Sequence, residues 1–277
     1  MLFRGPFLRK ITNGTHASAL QQATKPFGIE LTGRTVAHIL DECYQILFNH
    51  YRCEYVFKNE CISSLHFGLH DPANSHALSE FRCGGSRADL VIVNGTTTVY
   101  EIKTEYDSLD KLEGQLHDYS KTFEYVNIVT IQRFAERIVS DATYGSNVGV
   151  LCLSDDGEIK RIRPAESNLQ RLEAGAIFDC LRKNEYEKAI KKHFGSIPDA
   201  PNTRIYRECK LLFENFEAHD AHSWLVESLR SRSRYAQLEA LINDVPHSLK
   251  HACLTFEAPK AVLKRLAGQL LLQPESA

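Results

Sequence analysis

No window of this 277-residue chain approaches the roughly 18 uninterrupted apolar residues that a membrane-spanning helix needs. The opening stretch, MLFRGPFLRKITNGTHAS, has neither the apolar run nor the small-residue cleavage site of a signal peptide. The expectation is a cytoplasmic protein with no membrane partner. The eight cysteines form no CxxC pair, so a disulfide framework, a zinc ribbon and a four-cysteine iron–sulfur cluster each lack their usual spacing. Reduced, half-buried thiols are expected instead. The G-x-x-x-x-G-K-[ST] phosphate loop is absent, which removes a nucleotide-driven motor from consideration, and serine-nucleophile elbows and cysteine–histidine signatures are missing too. His66 and His70, and His247 and His251, have the spacing of zinc ligands on a helix. Gly68 interrupts the first pair, Pro246 precedes the second, and neither carries the glutamate of HExxH. There is no internal repeat and no low-complexity tract. Net charge is only −2, which argues against a protein that coats nucleic acid nonspecifically. The balance is uneven: residues 1–157 hold 14 Lys and Arg against 19 Asp and Glu, and residues 158–277 hold 19 against 16.

What is present is a globular composition, long enough for one sizeable domain with an appendage or for two small ones. From Arg34 to His50, Val36, Ile39, Leu40, Cys43, Ile46 and Leu47 recur at helical spacing, with Thr32 as the expected N-cap. A histidine- and cysteine-containing irregular stretch follows. HALSEFRC (76–83) reads as a strand, and RADLVIVNGTTTVYEIK (87–103) as two strands around an Asn-Gly turn. SLDKLEGQLHDYSKTFEYV (108–126) returns to helical spacing behind a Ser108 cap, although Gly114 costs it about 1 kcal/mol relative to Ala. VNIVTIQ (126–132) is a β-branched run suited to a strand covered on both faces, and 147–165 reads as a further hairpin. Beyond Pro164 the pattern is helical over 166–195, 204–232 and 258–272, with the proline-containing linker SIPDAPN between the first two. The expected organisation is an N-terminal extension (1–33), an α/β core (34–165) and a mostly helical C-terminal region (166–277).

The hairpin raises a chemical question, because it carries Asp89 at one end and Glu101 and Lys103 at the other. A two-residue Asn94-Gly95 turn would set Asp89 opposite Tyr100 and turn Glu101 the other way. A three-residue connection, Asn94 to Thr96, would set Asp89 across from Glu101, with Lys103 two positions along the same face. A shared site therefore demands an odd-length turn or a bulge, which Gly95 permits. Two carboxylates about 5 Å apart at their Cβ atoms repel, and a divalent cation between them removes that cost. Mg²⁺ suits such oxygen donors, Mn²⁺ can substitute, and the Ile102 carbonyl could add a ligand. Lys103 would then stand where its charge stabilises a developing hydroxide or a phosphorane-like transition state.

Asp89, eleven intervening residues and Glu101-Ile102-Lys103 resemble the D…(D/E)xK signature of the PD-(D/E)xK nuclease superfamily. QLHDY, Gln115 to Tyr119, is similar to the Q-x-x-x-Y element of its RecB-like branch. The resemblance covers about fifty residues, Ser79 to Val129, within a core of similar element order. Ala88 replaces the proline of the superfamily's name. The resemblance implies a restriction-endonuclease-like core, α-β-β-β-α-β with a mixed sheet flanked by helices. It also implies a further acid from the first helix or first strand, for which Glu42 and Glu80 are the candidates. Gln115 and Tyr119, one turn apart and so on one helix face, would orient Lys103 or a phosphate. Tyr119 also fits the helix's buried stripe, Glu80 also fits a salt bridge with Arg82 or Arg87, and His117 falls on a solvated face.

The function expected from these residues is a Mg²⁺-dependent nuclease hydrolysing phosphodiester bonds, of DNA in preference to RNA. Asp89 and Glu101 hold the metal, Lys103 assists water activation, and the C-terminal helices select substrate or a protein partner. The arginine cluster RSRSR (230–234) is either a phosphate contact or a solvated helix end. The alternative is a nuclease-fold protein without the reaction, acting as an immunity-type or regulatory module that binds protein or nucleic acid.

Overall fold

The computed structural model describes residues 2–69, 74–233, 238 and 245–274. Along the chain, α1 (Gly5–Thr12), α2 (Ala17–Thr24), α3 (Val36–His50) and α4 (Glu54–Cys61) precede a π-helical turn, Ile62–Phe67. The strands β1 (His76–Cys83), β2 (Ser86–Val93) and β3 (Thr97–Lys103) come next, then α5 (Leu112–Ser120), β4 (Tyr125–Thr130), α6 (Gln132–Ser140), β5 (Gly149–Leu153) and β6 (Ile159–Arg163). The helices α7 (Ala174–Asp179), α8 (Lys183–Phe194), α9 (Asn202–Phe213), α10 (Ala218–Ser231), α11 (Lys250–Thr255) and α12 (Lys260–Leu270) complete the described elements. No helix among the described residues is long and apolar enough to cross a membrane.

The chain divides into two compact units, one of Met1–Ala73 with Arg234–Ala277 and one of Asn74–Ser233. This differs from the expected 1–33, 34–165 and 166–277. The N-terminal stretch is not a mere extension: α1 and α2 bury Leu8, Ile11 and Leu20 in one core with Ile39 and Leu40 of α3 and Leu263 and Leu266 of α12. Thr35, not Thr32, caps α3 by accepting the His38 N–H at 3.3 Å. The stretch expected to be irregular holds α4, in which six consecutive residues from Val56 to Cys61 are buried. The buried Glu60 carboxylate is satisfied by the Tyr44 hydroxyl at 2.5 Å and His247 Nε2 at 2.7 Å.

The second unit is α/β, built on one six-stranded mixed sheet in the order β1-β2-β3-β4-β5-β6 with flanking helices. β1, β2 and β3 form an antiparallel meander, β4 and β5 run parallel to β3, and β6 returns antiparallel. Parallel neighbours on both sides make β4 a central strand, and all its residues from Val126 to Thr130 are buried. Two glycines, Gly84 and Gly85, make the β1–β2 turn between the paired Cys83 and Ser86. Gly84 takes φ 58°, a left-handed conformation that glycine adopts without steric cost. The helices α7 to α10 belong to this unit and share its core: Phe178, Ile190, Phe213 and Leu225 join Val91, Val99 and Ile128 of the sheet.

Candidate active site

The connection between β2 and β3 is odd in length. Val93 pairs with Thr97 and Leu90 with Tyr100, leaving Asn94, Gly95 and Thr96 as the turn, and Gly95 supplies the positive φ at 100°. Of the two registers open in the sequence, this is the one that sets Asp89 across from Glu101. Where the backbone ladder stops, the Asp89 carboxylate takes over and accepts the Ile102 N–H at 2.8 Å. That N–H belongs to the peptide joining Glu101 to Ile102, so the acid at one hairpin end is fastened to the ExK strand at the other.

Glu101 is the centre of the cluster. Its side chain is 2 % exposed, and Lys103 Nζ donates to Oε1 at 2.8 Å from a side chain only 10 % exposed. Gln115 Nε2 donates to the same oxygen at 2.6 Å while Gln115 Oε1 accepts from Lys103 at 2.9 Å. The Tyr119 hydroxyl donates to Oε2 at 2.7 Å. Gln115 and Tyr119 stand one turn apart on α5, and this spacing lets one helix face deliver both donors to one carboxylate. The resemblance directed the pair at Lys103 or a phosphate, whereas here both hold Glu101 and only Gln115 also holds Lys103. Burial, with the nearby Glu101 and Asp89 charges, pushes the Tyr119 hydroxyl far above its usual range, which keeps it a proton donor to Glu101.

The acid candidates separate. Glu80 stands in β1 between Ser79, which pairs with Leu90, and Phe81, which pairs with Ala88, so the register sets it across from Asp89. Carboxylate oxygens of Glu80 and Asp89 lie within 4.8 Å of one another, close to the roughly 4.2 Å that opposite ligands on one Mg²⁺ span. Glu80 also lies 3.7 Å from Arg87. Among the described residues it is the one non-glycine at positive φ, 56°, a conformation that costs energy and that concentrates at functional sites. Glu42 belongs to the other unit, where its partner is Arg34. Among the described residues, Glu80 and Asp89 belong to an acidic group whose ligand atoms lie within 4.8 Å of one another, and Glu101 does not join it.

The supports of this cluster were not evident in the sequence. Thr130, fully buried at the end of β4, donates its hydroxyl to the Lys103 carbonyl at 2.6 Å. Within VNIVT it reads only as another β-branched strand residue. Asp118 anchors α5 to the β1–β2 turn: its Oδ2 accepts from Ser86 Oγ at 2.6 Å, and a Cβ on Gly84 would come within 3.0 Å of its carboxylate. The helix itself starts at Leu112, not Ser108, which instead accepts the Asp110 N–H at 3.0 Å in the preceding turn. His117 is exposed, as its place on the helix suggested.

The remaining candidates have structural partners. Arg232 is not a solvated helix end: its guanidinium bonds both Glu185 oxygens, at 2.8 and 2.5 Å, and the Cys180 carbonyl at 3.0 Å. Arg234 and His70 lie outside the described residues. His247 pairs with Glu60, and burial drives His251 down to about 3, so this histidine is neutral.

A family model described as Bacteriophage P4 protein cII matches residues 48–250, and the chain belongs to that family. The chain is 26 % identical over 149 residues to Protein cII of Enterobacteria phage P4, a match that covers 53 % of this chain and 54 % of the relative. It thus spans about half the length of the curated relative it matches. No solved structure matches the chain.

Proposed function

We propose that this member of the bacteriophage P4 protein cII family is a metal-dependent nuclease whose second unit carries a restriction-endonuclease-like core. The observation that supports the reading best is the convergence on Glu101: Lys103, Gln115 and Tyr119 all bond its carboxylate, and Asp89 bonds the peptide that follows it. A fold kept only for binding has no physical use for a buried lysine–glutamate pair, whose desolvation is costly, beside an aspartate bonded to the same strand. The meander β1-β2-β3, then α5, then β4 parallel to β3 is also the strand and helix order that the D…ExK…QxxxY resemblance implies.

In this reading Asp89 and Glu101, with the Ile102 carbonyl and Glu80 as the additional acid, hold one divalent ion, Mg²⁺ or Mn²⁺. Such an ion supplies polarisation of the scissile phosphate and a lower pKa for the attacking water, worth several kcal/mol of barrier. Glu101 is held rigid by its three donors, so its geometry is set before substrate arrives. Lys103 supplies the fixed positive charge that stabilises the developing anion. Gln115 keeps the Lys103 amine from swinging away, and Tyr119 holds Glu101 Oε2 in place from the α5 side. DNA is the preferred substrate, with the α7–α10 helices contributing to its selection.

The test is incubation of purified protein with linear, circular and single-stranded DNA and with RNA, in Mg²⁺ and in Mn²⁺. Cleavage that needs the metal and disappears in Asp89→Asn supports the reading. Intact substrates under every condition would leave a binding module in its place.

A further inference from the structure

The single tryptophan of the chain borders a cavity of about 310 Å³ between α8 and α10. Lys192 and His193 line it from α8, and Asp220, Ser223, Trp224 and Glu227 line it from α10. The four α10 residues recur at i, i+3, i+4 and i+7, so one helix face presents them all, and Lys188 and Lys192 stand one turn apart on α8. Trp224 packs against the core of the second unit and keeps partial exposure. The Lys188 ammonium stands 5.9 Å from the centroid of its ring and the Lys192 ammonium 5.1 Å. Lys188 also bonds Glu227 at 2.7 Å, whereas among the described residues no carboxylate pairs with Lys192. We propose that this cavity binds a nucleotide, with the base stacked on Trp224 and the phosphate held by Lys192 and His193.

Each group answers one part of such a ligand. The indole face accepts any base, because every base has a π-face. An ammonium over an exposed ring is held only weakly, so Lys192 can leave the indole for a phosphate, where its bond is charge-assisted, and open the ring to the base. His193 is steadied at the rim: its ring lies 4.3 Å from that of Phe216 and 4.7 Å from that of Phe194, and Phe216 is itself stacked on Phe213 at 4.5 Å. The Ser223 hydroxyl and the Asp220 carboxylate supply acceptors for sugar hydroxyls. Two carboxylates in the lining, Asp220 and Glu227, repel an acidic peptide, and a volume at the low end of small-molecule sites has no room for a helix or a strand. The ligand is therefore one nucleotide, either free or as one residue of a single strand. None of these residues belongs to the Glu101 cluster, and the site does not depend on the nuclease reading.

The experiment titrates the full chain with deoxyadenosine monophosphate, deoxyadenosine and a short single-stranded oligodeoxyadenylate, and follows the fluorescence of Trp224. A metal chelator is present throughout, so that no metal-dependent cleavage contributes. Saturable quenching by the monophosphate or by the oligonucleotide is expected, about tenfold weaker in affinity in Lys192→Gln, and the monophosphate should bind about tenfold more tightly than deoxyadenosine. Quenching by the oligonucleotide alone assigns the cavity to a residue of a strand, and quenching by the monophosphate alone assigns it to a free nucleotide. Lys192 is exposed, so its substitution leaves the fold intact, which circular dichroism checks. Asp89→Asn should be quenched like wild type, which separates this site from the metal site. No saturable change with either phosphate-bearing ligand, affinities unchanged in Lys192→Gln, or deoxyadenosine bound as tightly as its monophosphate would each overturn the assignment.

Discussion

Tyr119→Phe removes one hydroxyl and no packing volume, so its effect isolates the bond that holds Glu101 from the α5 side. Tyr119 is fully buried and Glu101 is 2 % exposed, so solvent neither screens the 2.7 Å contact nor replaces the lost donor. A hydrogen bond to a charged group contributes about 1.5–3 kcal/mol, and Lys103 and Gln115 still satisfy Oε1, so the expected loss is about 2 kcal/mol. For a unit of this length that lowers the melting temperature by about 4–8 °C. The assay is built into the chain, because its single tryptophan, Trp224, lies in α10 of the same unit and reports on that unit's unfolding in urea. In a Glu101→Gln background the same substitution should cost only about 1 kcal/mol, since the acceptor is then neutral. Unfolding of Tyr119→Phe within about 0.5 kcal/mol of wild type would refute the contact and, with it, the description of Glu101 as a carboxylate clamped from three sides.

Lys103→Met should abolish cleavage, but it also strips a buried carboxylate of its counter-charge and should destabilise the unit by about 3–5 kcal/mol. The double variant with Glu101→Gln should recover most of that stability while cleavage stays absent, measured by urea unfolding beside plasmid cleavage. Wild-type stability and cutting in Lys103→Met would contradict both statements. Glu185 provides a pH prediction. Burial alone would raise its carboxyl, but the bonds from Arg232 and from the Arg182 N–H outweigh that and hold it below its usual 4.5. The unfolded chain therefore binds the proton more readily, so this stabilisation is complete above about pH 4.5 and is lost as pH falls through the folded-state value. Urea midpoints followed from about pH 6 to about pH 3 should show that loss in wild type and a smaller one in Glu185→Gln.

The legibility of the site and of the fold had different causes. The Asp89 and Glu101-Ile102-Lys103 spacing, with Gln115 and Tyr119 after it, was visible because these residues sit on consecutive elements joined by short connections. The register was left open between two turns, and Gly95 alone could not choose; the paired strands do. Supports such as Thr130 and Asp118 reach the site from other elements and share no spacing with it. Among the helices, α4 carries no polar face to mark its period because six of its residues are buried in succession. The eight-residue α1 and α2 are shorter than the window in which a 3.6-residue period is detectable. At α6, the strand reading of VNIVTIQ ran two residues past the end of β4 at Thr130 and took in Gln132, the first residue of the helix. The division into units was hidden for a simpler reason: the first unit is assembled from both ends of the chain.

Titration of the full chain with Mn²⁺, followed by calorimetry, tests most directly whether Asp89 and Glu101 share a cation. The account predicts a saturable binding event near one ion per chain in wild type, no signal in Asp89→Asn, and folded protein in both, since the asparagine carbonyl can still accept the Ile102 N–H. Equal binding by the two proteins, or none by either, would contradict it.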